Sequence, residues 1–250
     1  TFEVLISPND QTPGQPYLLS CFGDCTGSLT ALITGGTAPF TFAWTDGLGN
    51  IIGDTETANN LCADNYCVQV TDANGCSVVE CFEVTQPETP INILSDVLVY
   101  PSGYNISCFG ACDGAIDLTV TGGVPGYTFL WNDGNGFDPT EDQTNLCAAY
   151  IEVLITDDNG CSELLSWTLT EPAPIVINET ISAFDGNVNV SCNGACDGTI
   201  SVEVLGGEPG YTVNWPSLGL TDVTEVSALC AGTYDVEVTD NIGCVETAFF

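Results

Sequence analysis

Thirty-four Asp and Glu residues stand against no Lys, no Arg and no His in a chain of 250 residues, a formal net charge of -34, where ordinary usage would supply roughly 30 cationic side chains. Side-chain salt bridges are therefore excluded, polyanions such as nucleic acid are excluded as partners, and each carboxylate must stay hydrated, accept backbone N–H bonds or hold a metal ion. A hydrophobic content of 44% argues against low-complexity disorder, and no apolar run reaches the length of a membrane span.

The chain is built on a period. Cys21 to Trp44, Cys108 to Trp131 and Cys192 to Trp215 are three copies of one stretch, with leading cysteines 87 and then 84 residues apart. Repeats with a period of 84 to 87 residues are long enough to bury their own cores, unlike solenoid repeats of about 20 to 50 residues. They divide the sequence into repeats of 1–87, 88–172 and 173–250, with Gln86-Pro87-Glu88 and Glu171-Pro172-Ala173 as joints. Proline-stiffened joints of this length predict a rod.

Each repeat opens on a short apolar strand, at Phe2 to Ile6, Pro90 to Leu94 and Pro174 to Ile177, followed by a variable loop ending at the first cysteine. A strand of period 2 follows the Cys-x-Gly-x-Cys loop, clearest at Ile200, Val202 and Val204. A Gly-Gly pair turns the chain into a strand carrying Phe40, Phe42 and Trp44, then Tyr127, Phe129 and Trp131, then Tyr211, Val213 and Trp215. The alternation places these aromatics in a core and not on a sugar-binding face. A connection with at most one edge strand leads past Cys62, Cys147 and Cys230 to a strand with Tyr66, Val68, Val70; Ile151, Val153, Ile155; and Tyr234, Val236, Val238 facing inward. Asp-x-x-Gly-Cys hairpins close it, with Gly75, Gly160 and Gly243 supplying the positive φ and the aspartate bonding its own loop. A seventh strand returns to the next proline. Seven short strands with regular turn signals predict an all-β fold, a tandem array of three Ig-like antiparallel β-sandwich domains. The opening on a strand and the ending inside the last repeat point to an excerpt of a longer protein.

The succession C-x-G-x-x-D-G, GG-x-P-G-Y-T-x-x-W, L-C-A-G-T-Y-x-V-x-V-T-D-x-x-G-C and T-x-x-x-P resembles the SprB repeat family across all three repeats. The first repeat departs at Thr26 and at Ala38-Pro39-Phe40, the second at Ala149-Tyr150. The resemblance implies a large multi-repeat cell-surface protein of the Bacteroidota, a Gram-negative group, related to adhesins moved in gliding motility and exported by type IX secretion. Its implied partners are neighbouring repeats, other copies in a filament, the anchoring machinery, and a glycan or solid surface, with no nucleic acid and no membrane insertion.

Fourteen cysteines in repeated positions indicate an oxidising, extracellular setting; the Cys-x-x-x-Cys spacing and the lack of His speak against zinc. Four cysteines per repeat allow three pairings. The resemblance implies that the first and last cysteines occur without the middle two, which makes pairs of Cys25–Cys62, Cys112–Cys147 and Cys196–Cys230. It leaves Cys21–Cys76, Cys108–Cys161 and Cys192–Cys244. In a simple Ig topology, however, the first cysteine and the hairpin lie at opposite ends, so a bond between consecutive domains stays open. Cys67 and Cys81 fall opposite each other to within one residue, counted back from the Asp72–Gly75 turn, which predicts a cross-strand bond Cys67–Cys81.

The remaining candidates are loop aspartates. Asp24, Asp72, Asp113, Asp157, Asp158, Asp197 and Asp240 are placed where Ca2+ takes oxygen ligands, although turn chemistry also accounts for them and no EF-hand spacing occurs. Catalysis has no candidate residue: there is no His or Lys to act as base or Schiff-base nucleophile, and no paired-carboxylate signature. The sequence thus reads as a non-enzymatic stalk or filament segment of an adhesin. A glycan- or surface-binding array, Ca2+-dependent in one form, is the alternative.

Overall fold

A computed structural model describes residues 1–9, 17–132, 139–186 and 188–250. In the first repeat the strands are β1 (Glu3–Pro8), β2 (Gly27–Thr34), β3 (Thr41–Thr45), β4 (Ile51–Gly53), β5 (Thr57–Leu61), β6 (Asp64–Thr71) and β7 (Ser77–Val84). The second holds β8 (Asn92–Val97), β9 (Gly114–Thr121), β10 (Thr128–Asn132), β11 (Gln143–Leu146), β12 (Tyr150–Thr156) and β13 (Ser162–Thr168). The third holds β14 (Val176–Ile181), β15 (Gly198–Leu205), β16 (Thr212–Trp215), β17 (Leu220–Thr221), β18 (Glu225–Leu229), β19 (Asp235–Thr239) and β20 (Val245–Phe249), with a 3-10 turn at Pro216–Leu218. Among the described residues there is no α-helix, hence none long and apolar enough to cross a membrane.

The chain forms two compact units, Thr1–Ser95 with Leu118–Glu141 and Val153–Leu165, and Asp96–Asp117 with Asp142–Glu152 and Ser166–Phe250. In the first unit, the first repeat makes the sheets β1-β2-β5 and β4-β3-β6-β7. Alternation along each strand sends Val4, Ile6, Leu29, Ala31, Trp44, Tyr66, Val68 and Val70 into one core. In the second unit the third repeat repeats this arrangement as β14-β15-β18 and β17-β16-β19-β20, around Ile200, Val202, Val213, Trp215, Val236 and Val238. The second repeat has sheets of order β11-β9-β8 and β10-β12-β13. All three are all-β and antiparallel, as the periodicity predicts.

The tryptophan on the third strand is buried, and its indole N–H must find an acceptor there. Trp44 donates to the Thr55 carbonyl, Trp131 to Thr140 and Trp215 to Val223, each at 2.9 Å. That bond pulls the variable connection against the sandwich, and the segment after it pairs as β5 or β18 along the far sheet. A bulge precedes its last leucine, with Asn60, Asn145 and Ala228 at φ of 57°, 58° and 58°. The sequence pattern shows only a surface connection here, because the bulge breaks the period of 2.

The first glycine of each Gly-Gly pair is required twice over. Gly35, Gly122 and Gly206 have φ of 76°, 74° and 70°, and a β-carbon there would stand 1.9, 2.0 and 2.0 Å from the carbonyl oxygens of Thr1, Pro90 and Pro174. No side chain fits. In the first repeat the same turn uses a cis peptide between Ala38 and Pro39, where the later repeats have Pro125-Gly126 and Pro209-Gly210.

Candidate functional site

Two sets of residues recur at fixed places in the fold, the cysteines and the hairpin aspartates. Within repeats, the structure joins Cys25 to Cys62, Cys112 to Cys147 and Cys196 to Cys230, with Cα separations of 3.8, 4.0 and 3.8 Å. Each ties the loop before β2, β9 or β15 to the end of the bulged strand paired with it. Cys67 and Cys81 are direct partners in the β6–β7 register and are bonded, 4.0 Å apart at Cα.

The first and last cysteines depart from the expected bonds Cys21–Cys76, Cys108–Cys161 and Cys192–Cys244. Cys21 is bonded to Cys161 and Cys108 to Cys244, each with Cα atoms 5.6 Å apart, while Cys76 and Cys192 are exposed thiols. The reason lies in strand β7. The loop led by Cys21 is held at the far end of that strand, Leu19 N–H donating to the Thr85 carbonyl at 2.9 Å and Gly23 N–H to Gln86 Oε1 at 2.8 Å. Cys76 precedes the strand's first residue, and eight residues of extended chain cover about 26 Å. A disulfide tolerates at most about 7 Å between Cα atoms. The first cysteine therefore reaches the hairpin of the following repeat instead. At the first joint Asn159 Nδ2 also donates to the Ser20 carbonyl at 3.1 Å; at the second, Tyr104 OH donates to Glu208 Oε1 at 3.1 Å.

The hairpin aspartates answer how a chain without side-chain cations buries charge. Asp72, Asp157 and Asp240 are 8, 5 and 5% exposed. Asp72 Oδ1 accepts from the N–H groups of Asn74 and Cys76, both at 2.9 Å, and Oδ2 from Thr37 N–H at 3.1 Å. Asp157 takes Asn159, Cys161 and Val124 at 3.0, 2.9 and 2.9 Å. Asp240 takes Ile242, Cys244 and Glu208 at 3.0, 2.9 and 3.0 Å. One carboxylate thus closes its own turn with one oxygen and clamps the Gly-Gly loop with the other. Gly123 and Gly207 make room for it, since a β-carbon there would lie 2.7 and 3.0 Å from the Oδ2 atoms of Asp157 and Asp240. Burial works to raise the pKa of Asp72, but N–H bonds from Cys76, Thr37 and Asn74 outweigh it and hold the carboxyl below the ordinary value.

The other aspartates fold the cysteine loop. Asp113 accepts from the hydroxyl and the N–H of Ser107, the latter at 3.1 Å, and Asp197 accepts from Ser191 N–H at 3.0 Å. The Ser107 hydroxyl, first, and its N–H lower the pKa of Asp113. The first repeat has Thr26 at this position and lacks the bond's acceptor. Asp24 N–H donates to Cys21, and Asp158 N–H to Val124. Among the described residues no group of three or more Cys, Asp or Glu side chains is placed to hold a metal ion. Trp131 and Trp215 are buried and Tyr127 and Tyr211 spend their hydroxyls on the Gly122 and Gly206 carbonyls, so these aromatics brace the fold.

The SprB repeat pattern matches this chain at three places, residues 19–49, 104–136 and 187–216. Each match runs from just before or at the cysteine loop to the tryptophan strand. No curated protein matches. Among solved structures, the N-terminal eight Ig domains of Down Syndrome Cell Adhesion Molecule are 11% identical, with a TM-score of 0.30, covering 100% of this chain and 47% of that one. The chain thus spans about half the length of that structure. A tetra-tandem repeat from the extending region of a large adhesion protein is 16% identical, with a TM-score of 0.23, covering 90% of this chain and 69% of that one.

Proposed function

We propose that this chain, which carries three SprB repeats, is a structural segment of a large cell-surface adhesin, extracellular and without enzymatic activity, in which each repeat is a separate domain bounded at residues 87 and 172. The observation that supports this most directly is the bonding of one repeat to the next. Cys21–Cys161 and Cys108–Cys244 repeat the same link at successive joints. A catalyst gains nothing from covalent joints at a fixed period. A load-bearing tether does, because a cross-link resists extension and bending. The carboxylates supply the second property: with -34 of charge and no side-chain cation, neighbouring tethers repel one another and stay extended. Gliding motility, type IX export and a Bacteroidota source belong to this proposal through the repeat family.

The partners in the proposal are further repeats of the same kind. Cys192 occupies the position of Cys21 and Cys108, and Cys76 that of Cys161 and Cys244, so the two exposed thiols are complementary halves of the observed joint. In forming it they surrender two protons and two electrons to a disulfide oxidant, which is released as two thiols. Oxidation of the concentrated chain by glutathione disulfide in 0.5 M salt, to screen repulsion, should give a ladder on non-reducing gels. Glu-C peptides should join Cys76 to Cys192, and Cys192→Ser should abolish the ladder. Linkage through any other cysteine, or two thiols that remain alkylatable, contradicts the pairing.

The adhesive reading has its own tests. An antibody to the chain should label intact cells of the source organism; labelling only after permeabilisation refutes surface placement. A passive stalk should bind nothing on a glycan array, whereas selective binding would make the repeats themselves the adhesive element. Electron micrographs should show extended particles that become bent on reduction; compact particles before reduction contradict the stalk.

A further inference from the structure

Alternation along the second repeat's sheet β10-β12-β13 buries Phe129, Val153 and Ile155 and turns the residues between them outward. Three of the outward residues are leucines. The Thr128 hydroxyl donates to the Thr156 carbonyl at 3.3 Å, which sets Leu130 beside Leu154. Asp157 N–H donates to the Cys161 carbonyl at 2.9 Å, which, counted back through the hairpin, sets Leu154 beside Leu164. The first repeat has the same register, Thr41 with Thr71 and Thr71 with Ser77. Leu130, Leu154 and Leu164 therefore form one row across three strands. Leu130 and Leu164 are 50 and 62% exposed, and Leu154 is half-buried between them. Thr128, Thr156 and Ser162 make a hydroxyl row alongside. Single exposed leucines are ordinary, whereas a contiguous apolar row marks a surface that meets a partner.

Charge decides which partner fits. The chain carries 34 carboxylates and no side-chain cation, yet the leucine row and the hydroxyl row hold no charged residue. A basic partner would be held by carboxylates, which this face does not offer. A second copy is repelled wherever carboxylates oppose carboxylates, and it can approach where two uncharged faces meet. The row is also self-complementary about a two-fold axis, leucines on leucines, with the sheets about 10 Å apart. The same positions hold Ala43, Gln69 and Val79 in the first repeat, and Asn214, Glu237 and Thr247 in the third. Seating Glu237 against leucines would strip a carboxylate of water with no cation to pair it. Only the second repeat offers an apolar row to its own copy.

We propose that this face pairs two copies of the chain, second repeat to second repeat, with Leu130, Leu154 and Leu164 of each copy packed on those of the other. Three leucines and their hydroxyl neighbours bury less than the roughly 800 Å2 per partner of a stable dimer. The pairing is therefore reversible, and it needs salt to screen the surrounding carboxylates. It is non-covalent and separate from the joining of Cys76 to Cys192, and it stands whether or not the chain serves adhesion.

The test is cross-linking of the 250-residue chain in which Cys76→Ser and Cys192→Ser remove the exposed thiols. Leu154→Cys is added in one sample and Val79→Cys, its counterpart position on the more exposed edge of the first repeat's row, in another. A short bismaleimide, whose reach suits sheets about 10 Å apart, is applied in about 0.5 M salt. The Leu154→Cys chain should give at least about tenfold more cross-linked dimer than the Val79→Cys chain, since pairing raises the local thiol concentration. Adding Leu164→Glu or Leu130→Glu should bring the yield down to the Val79→Cys level, with thermal melts unchanged because both side chains are half exposed or more. Equal yields from the two cysteine variants, enrichment that survives both glutamates, or a mixed sample that joins the two variants as readily as it joins Leu154→Cys to itself would overturn the proposal.

Discussion

Replacing Cys21 and Cys161 together by serine removes a bond that spans 140 residues of sequence. An open loop of that length would constrain the unfolded chain by about 5 kcal/mol. The remaining disulfides shorten the path: it runs from residue 21 to 25, 62 to 67, 81 to 112 and 147 to 161, a little over fifty residues, which lowers the expected loss to about 4 kcal/mol. With a urea dependence of about 2 kcal/mol/M, the unfolding midpoint should fall by roughly 2 M. A Cys21–Cys76 bond would close about 55 residues and give nearly the same figure, so the pattern among variants decides, not the size. Cys21→Ser and Cys161→Ser should each cost as much as the pair and leave three reactive thiols after unfolding. Cys76→Ser should change stability by no more than about 0.5 kcal/mol. A costly Cys76→Ser beside a silent Cys161→Ser would refute the cross-repeat bond and the strand-length argument behind it.

Asp157→Ala removes the acceptor of three backbone N–H groups and should destabilise by about 2 to 3 kcal/mol in urea unfolding; a loss below about 0.5 kcal/mol would show that water replaces the carboxylate. The depressed pKa of Asp72 makes its contribution complete above the unfolded carboxylate value near 3.9 and progressively lost as pH falls through the lower folded value. Thermal melts from pH 7 to 2 should therefore drop at the acid end, less steeply in Asp72→Asn. Ala228 holds a left-handed conformation that Asn60 and Asn145 occupy in the other repeats. Ala228→Asn should stabilise by about 0.5 to 1 kcal/mol, read from the urea midpoint, and a loss of stability would contradict the backbone assignment.

The strands and their inward faces were legible because period-2 alternation and the Gly, Pro and Asn-Gly punctuation are local, and the core residues Trp44, Val68, Val213 and Val236 lie where alternation puts them. The bond between repeats was legible only as the alternative to the expected pairing, because a simple Ig topology sets the first cysteine and the hairpin at opposite ends, as the length of β7 does here; no periodicity within a repeat decides between the two pairings. The double duty of Asp72, Asp157 and Asp240 was half legible: turn chemistry anticipates the oxygen that closes the hairpin, but the clamp on the Gly-Gly loop joins segments more than thirty residues apart. The pairing of β5 and β18 stayed hidden behind the bulge at Asn60 and Ala228, which shifts the apolar residue by one place.

The two long disulfide loops, 21 to 161 and 108 to 244, overlap between residues 108 and 161. Any one cut of the backbone from Cys21 to Cys244 is consequently spanned by a bond, and the two sides stay one molecule. The absence of Lys and Arg already denies trypsin-like enzymes a site, and interlocked loops make other nicks harmless to continuity. Linking each repeat to its successor, instead of closing it on itself, turns local proteolytic damage into a hidden break that appears only on reduction.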